Sequence, residues 1–331
     1  MRRRDLIGLA GIGALNFARP AHAQTKANLP VVGLLLPGRE DVVKDRLAGV
    51  RIGLQQAGFI EGKNYSIIVR FANGDVTRMA ALAKELGKFK PAVVVVGTFA
   101  ATTHKVIPDI PVVFTSFAAD PLAMGIVESW SHPGGTITGN VMNAVGGEET
   151  MAQKRLGLFK QLGPGLSRLG MIGPEPGSPL AASERDALRK MCAQFGFDFR
   201  NYGVVGLDDL EGAFASARRD DVDAFFISGE PLTSTNMSRV IPFIATSEKP
   251  SFGPYLEMAQ AGLLMSYSSD LSDGFRHAGL YAAKILGGAK PGDLPIEQAS
   301  KFTFAINIKT ARALGISVPP TLLALADEMI E

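Results

Sequence analysis

Residues able to do covalent chemistry are sparse in this chain. It has one cysteine, Cys192, and four histidines, His22, His104, His132 and His277. Cys192 lies in ALRKMCAQFGF on the apolar face of a helical pattern, where a thiol packs as a small hydrophobe rather than acting as a nucleophile. A single cysteine allows no intramolecular disulfide, and the histidines are too scattered to build a metal tetrahedron. There is no G-x-S-x-G elbow, P-loop or H-E-x-x-H, and HPGGTITG (132–139) lacks the G-x-G-x-x-G spacing. No cofactor is expected. What remains is the chemistry of binding. Arg39, in PGRE, can grip a carboxylate through two parallel hydrogen bonds, or stand solvated at a helix start. Glu175 and Glu230 can receive an ammonium group or act as helix caps. Asp120, before Pro121, faces the same choice. Thr98 and Ser116 bring hydroxyls, and Phe99, Phe117, Tyr255 and Tyr267 bring flat faces that stack on a ligand or pack in a core.

These residues share a position: they follow short apolar runs. VVGLLL (31–36), YSIIVRF (65–71), AVVVV (92–96) and PVVF (111–114) read as strands, separated by amphipathic stretches. One of these, 41–57, carries Val43, Leu47, Val50 and Leu54 on one face and stops at Gly58. Thr77 is placed to cap the next helix. Strands alternating with helices form parallel sheets covered on both faces, so the strands read as continuous apolar sequence. In such sheets ligands lie beyond the carboxyl ends of the strands, near helix starts with free N–H groups. Gly97-Thr98-Phe99, Thr115-Ser116-Phe117 and the segments around Glu175, Glu230 and Tyr255 all fall there.

The pattern occurs twice. RLGMI (168–172), FRNYGVV (199–205), DAFFISGE (223–230) and PSFGPY (250–255) answer the four runs above in order. Gly58 to Gly125 spans 67 residues and Gly196 to Gly262 spans 66, consistent with two copies of one α/β unit offset by roughly 138 residues. At 331 residues, 46% apolar and 20% charged, the chain is too long for one core and suits two. Two Rossmann-like lobes with parallel sheets, joined by a hinge, would leave a cleft between them. The segments 135–143, 266–275 and 301–315 are the expected crossings, giving one lobe of residues 28–143 plus 268–299 and another of 144–267 plus 300–331. PPTLLALADEMIE (319–331) reads as a closing helix.

The first 23 residues combine a basic start, Arg2-Arg3-Arg4, a modest apolar run and an Ala21-His22-Ala23 cleavage pattern. This reads as an export signal removed after Ala23, of the Sec or twin-arginine type. Its removal takes away four arginines and Asp5, leaving 30 Lys+Arg against 31 Asp+Glu, a net charge of −1. A nucleic-acid surface is therefore not expected.

Several blocks resemble the solute-binding proteins of bacterial ABC importers, in the branch that includes tryptophan and tyrosine binders. They are GLQQAGFIEGKNYSIIVRFANGDVTRMAALAKEL (53–86), DPLAMGIVESWSHPGGTITG (120–139), QKRLGLFKQLGP (153–164) and AGLLMSYSSDLSDGF through PPTLLALADEMIE (261–331). The resemblance implies a type I periplasmic-binding fold and a periplasmic receptor, acting as a monomer. It would hold a small molecule, amino-acid-like or an aromatic carboxylate, and hand it to a permease in the inner membrane. LLPGRE and GTFAAT depart from the branch at the strand ends, where the pocket should be. A secreted enzyme, such as a racemase or hydrolase working in the same cleft, stays open as the alternative. A LacI-type regulator would need an N-terminal helix-turn-helix.

Overall fold

Apolar runs that need cover on both faces become strands in the computed structural model, which describes residues 29–118, 120–143, 147–176 and 179–331. The export signal of residues 1–23 and Gly177 lie outside the described residues. The first unit runs β1 (Val31–Leu36), α1 (Glu40–Gln56), β2 (Ser66–Phe71), α2 (Met79–Gly87), β3 (Val93–Val96), α3 (Ala100–Val106), β4 (Val112–Phe117) and β5 (Ile137–Val141). The second runs α4 (Gly147–Leu162), β6 (Arg168–Pro174), α5 (Pro179–Phe195), β7 (Asp198–Val204), α6 (Leu210–Arg219), β8 (Ala224–Ile227), α7 (Pro231–Ser234), α8 (Met237–Ser247), β9 (Ser251–Gly253), α9 (Leu256–Ala261) and β10 (Met265–Ser269). The chain closes with α10 (Leu271–Leu286), β11 (Glu297–Gln298), β12 (Phe302–Asn307), α11 (Ile308–Ala313), α12 (Pro320–Leu325) and β13 (Glu328–Ile330).

Two sheets result, ordered β11-β5-β4-β3-β1-β2 and β13-β12-β10-β9-β8-β6-β7. Without the edge strands from the chain's end, the orders are β5-β4-β3-β1-β2 and β10-β9-β8-β6-β7, the same winding shifted by five strands. The repeat read from the sequence is thus a repeat of topology. All pairings are parallel except β10 with β12. Strand β3 explains its four valines: all are fully buried, alternating between the core clusters on the two faces of the first sheet.

Helix α10 follows a strand of the second sheet yet packs on the first. Its Gly279 meets Gly53 of α1, where a Cβ at Gly53 would lie 2.0 Å from the Arg276 carbonyl oxygen. Only glycine permits that backbone approach. Three connections link the sheets: the one between β5 and β6, Asp270 after β10, and 299–301 between β11 and β12. The last two are stapled together, because Lys301 Nζ lies 2.6 Å from Asp270 Oδ2 and the Asp270 N–H donates to the Lys301 carbonyl at 3.0 Å.

Two local expectations are corrected. Asp75, not Thr77, forms the cap before α2, its Oδ1 accepting the Thr77 N–H at 3.1 Å. The chain's end is not one helix: α12 stops at Leu325, because Asp327 is pinned to Phe304 of β12 by two backbone-directed bonds of 2.8 and 2.9 Å. Those bonds draw the last residues into β13 at the sheet edge. No described helix is long and apolar enough to cross a membrane.

Candidate ligand cleft between the lobes

The carboxyl ends of the two sets of strands face each other. Ala118 and Met142, just beyond β4 and β5, are buried in the same cluster as Ile172, Ile227 and Tyr255 at the ends of β6, β8 and β9. The Tyr255 hydroxyl donates toward Met142 Sδ at 3.9 Å. Arg46 on α1 lies 3.7 Å from Glu257 on α9. Gly38, after β1, and Gly74, after β2, approach Thr235 and Asn236 beside α8. The lobes therefore touch along a seam that all these strand ends reach.

Apart from Arg46 on α1, the first lobe's side of the seam is organised by neutral groups at the ends of β4 and β5. Asn140 Oδ1 accepts the Thr115 hydroxyl at 3.2 Å and the Ser116 N–H at 3.0 Å, while Nδ2 donates to the Gly274 carbonyl at 2.9 Å. One amide thus ties the end of β4 to the start of α10. Ser116 needs that support, since its φ of 49° lies in the left-handed region unfavourable to residues with a Cβ. Asn143 donates to the Ala118 carbonyl at 2.6 Å, and its buried Oδ1 has no partner among the described residues.

The second lobe's side is ionisable. Glu148, Arg155, Glu184 and Glu230 are all buried. Arg155 pairs with Glu148 and donates Nε to the Tyr267 carbonyl at 2.8 Å. Glu184 is met by neutral donors, the Ser228 hydroxyl and the Gly229 N–H, the latter at 3.0 Å. Burial and the neighbouring Glu148 push its carboxyl up to about 8, against the opposing pull of the Ser228 bond. Burial pushes Glu230 up to about 7, opposed by the Ala181 N–H. The Tyr255 phenol is raised by burial and by Glu184 and lowered by Arg46, so groups from both lobes share one electrostatic environment.

Of the residues named from sequence, Glu230 and Tyr255 come together at the seam, while Ser116 sits at the end of β4 against Asn140 and Gly274. Thr98 and Phe99 follow β3 half-buried, and Phe99 packs on the first lobe's core. The others are engaged elsewhere. Arg39 is exposed and held by Asp41 at 3.0 and 2.6 Å. Asp120 accepts the Leu122 and Ala123 N–H groups of its own turn. Glu175 bonds Asn201 and lies 3.7 Å from Arg185 within its lobe. Phe117 is core, 5.4 Å from Phe114 between ring centres, because β4 runs three residues further than expected. Tyr267 stacks on Phe302 at 5.9 Å.

Sequence reasoning missed Glu184, Arg155, Asn143 and Arg46. A signal existed for the first two, since each is a charge on the buried stripe of its helix, between Leu180 and Ala187 in α5 and between Ala152 and Leu156 in α4. Cys192 is buried and its thiol is pushed up to about 12, so it is not a poised nucleophile. No group of His, Cys, Asp and Glu that could hold a metal occurs among the described residues.

Residues 32–330 match the family model for "ABC transporter substrate binding protein". The tyrosine-binding protein of Clostridioides difficile (strain R20291) is 23% identical over 310 residues, covering 92% of this chain and 86% of that protein. A solved conserved domain protein of Vibrio cholerae superposes with a TM-score of 0.80 at 22% identity, over 91% of this chain and 99% of that one. The solved ABC domain of Streptococcus pneumonia in complex with L-Trp gives the same TM-score and identity, over 91% of this chain and 100% of that one. The neighbours have the type I periplasmic-binding fold, as the duplicated topology implies. By the extent of the family match, the chain is a member of the ABC transporter substrate-binding proteins.

Proposed function

We propose that this chain is a periplasmic solute receptor. It closes two lobes, residues 28–143 plus 268–299 and residues 144–267 plus 300–331, on an amino-acid-like molecule or aromatic carboxylate. It acts as a monomer and delivers its cargo to the permease of an ABC importer in the inner membrane. The observation that carries this reading is the seam itself: the ends of both parallel sheets meet there, and buried polar groups gather on each side. A solute touching both sides favours the closed form over the open one, so binding shifts the population toward the shape a permease would recognise. The relatives' ligands, tyrosine by name and L-Trp in a complex, support the amino-acid-like class. The buried, raised Cys192 thiol and the absence of a motif for a nucleophile with its base weigh against the enzyme alternative.

The test is a thermal-shift screen of amino acids, aromatic acids and small carboxylates, followed by small-angle scattering with any stabilising compound. One class should raise Tm and reduce the radius of gyration, and the compound should be recovered unchanged. Turnover of that compound would return the reading to an enzyme.

A further inference from the structure

A hollow of about 380 Å3 lies on the hinge flank, beside the stapled crossings at Asp270 and Lys301. None of Met142, Tyr255, Glu184 or Glu230 lines it, so it is separate from the seam. Its walls come from both lobes: Asp45 of α1 and the start of α10 on one side, α9, the end of β10, β12 and β13 on the other. Five carboxylates line it, Asp45, Glu257, Asp270, Asp327 and Glu328, against one cation, Lys301. Lys301 is held by Asp270 at 2.6 Å, and Arg46 lies 3.7 Å from Glu257. Asp327 accepts the Phe304 N–H. The side chains of Asp45 and Glu328 have no ion pair or hydrogen bond among the described residues.

Acidic residues around a hollow are by themselves only a solvated face. A separate observation singles this one out. Ser269, 5% exposed, lines it, and its buried Oγ has no partner among the described residues. A buried hydroxyl left unpaired is costly, and an occupant of the hollow supplies the missing partner. Between the charges lie half-buried apolar side chains, Leu256, Leu271 and Phe302. The described residues include no group of His, Cys, Asp and Glu that could hold a metal ion, so these carboxylates are too dispersed to share one. Spaced carboxylates separated by apolar surface suit an extended cation, with ammonium groups on the carboxylates and methylenes on the apolar wall. We infer that the hinge flank carries a second binding site, for an extended organic di- or polyamine. One ammonium pairs with Asp45 on the first lobe and another with Glu257 and Glu328 on the second, while Ser269 Oγ accepts an N–H between them. An occupant that touches both lobes favours the arrangement in which both sets of carboxylates reach it, and so biases the hinge without entering the seam. Binding there requires no solute in the cleft.

The experiment is titration calorimetry on the whole processed chain without solute. Spermidine and putrescine are the probes, and magnesium chloride at matched ionic strength is the control. Spermidine should bind one to one, and putrescine more weakly, having one charge fewer. Asp45→Asn combined with Glu328→Gln should weaken spermidine about tenfold, since each exposed pair contributes little. Ser269→Ala should weaken it about fivefold with Tm unchanged, because the hydroxyl has no bond in the fold to lose. Diffuse attraction to an acidic face would respond to the two carboxylates but not to Ser269. Absence of saturable binding by either amine, equal binding of magnesium, or full spermidine affinity in Ser269→Ala overturns the site. Each of those results leaves the receptor reading intact, because no solute enters the measurement.

Discussion

The ends of β4 and β5 in the first lobe and of β8 and β9 in the second occupy matching places in a duplicated unit, yet they are built from different chemistry. In the first lobe one amide, Asn140, organises hydroxyls, backbone groups and a left-handed Ser116. In the second, two buried carboxylates sit beside a buried ion pair. A neutral network fixes geometry at little electrostatic cost, because each of its groups finds a partner of ordinary strength. A buried ionic network is poorly compensated unless every charge is paired, which makes it responsive to whatever arrives. The duplication supplied two equal scaffolds whose strand ends differ in charge.

Breaking the buried pair should give the largest contrast. Arg155→Ala strands Glu148 without its cation and removes the donor to the Tyr267 carbonyl. The expected loss is about 3–5 kcal/mol. Asn140→Ala in the first lobe removes only neutral bonds and should cost about 1–3 kcal/mol. Urea unfolding of both variants, with m values checked for two-state behaviour, measures the pair. Equal losses would mean that the two ends are energetically alike.

The next effect concerns pH. Glu184 in the folded chain ionises about 8, well above an unfolded glutamate, so the folded state binds more protons than the unfolded state in between. Its contribution is fully present below the unfolded value near 4.5 and is lost as pH rises through about 8. Stability should fall between pH 5 and 8, by an amount on the order of a few kcal/mol, and Glu184→Gln should flatten that slope. Unfolding curves at pH 5.5, 7 and 8.5 decide it. A wild-type slope that persists unchanged in the variant would place its source elsewhere.

The scaffold was more legible than its ends, for a physical reason. A central parallel strand must be apolar on both faces, so VVVV and AFFI announce themselves, and the repeated spacing of strands and glycines exposed the duplication. Strand ends carry no comparable constraint. Asp120, Arg39 and Glu175 have the residue types of ligand contacts, but each satisfies itself locally, in an Asx-type turn, with Asp41 two residues on, or with Asn201 on the neighbouring strand. Among the charges that reach the seam, Glu184 and Arg155 come from helix interiors, where a charge on an apolar stripe is visible in sequence but its partners are not. The closing segment misled because LADEMIE has helical propensity, and only the pairing of Asp327 with Phe304 across the sheet makes it a strand.

The smallest effect tests whether the first lobe's geometry is itself strained. Ser116 holds φ 49° with its N–H bonded to Asn140, and its Oγ would lie 2.5 Å from a Cβ at Gly274. Replacing it with glycine removes the cost of a left-handed side chain, about 1 kcal/mol, while keeping the N–H bond. With that bond kept, Ser116→Gly should leave stability unchanged or raise it by up to that amount. If the hydroxyl instead contacts the solute, the same variant should bind more weakly while melting no lower. Separate measurement of Tm without solute and of affinity with it distinguishes strain held for binding from strain that merely closes a turn, since only the first makes the two quantities move apart.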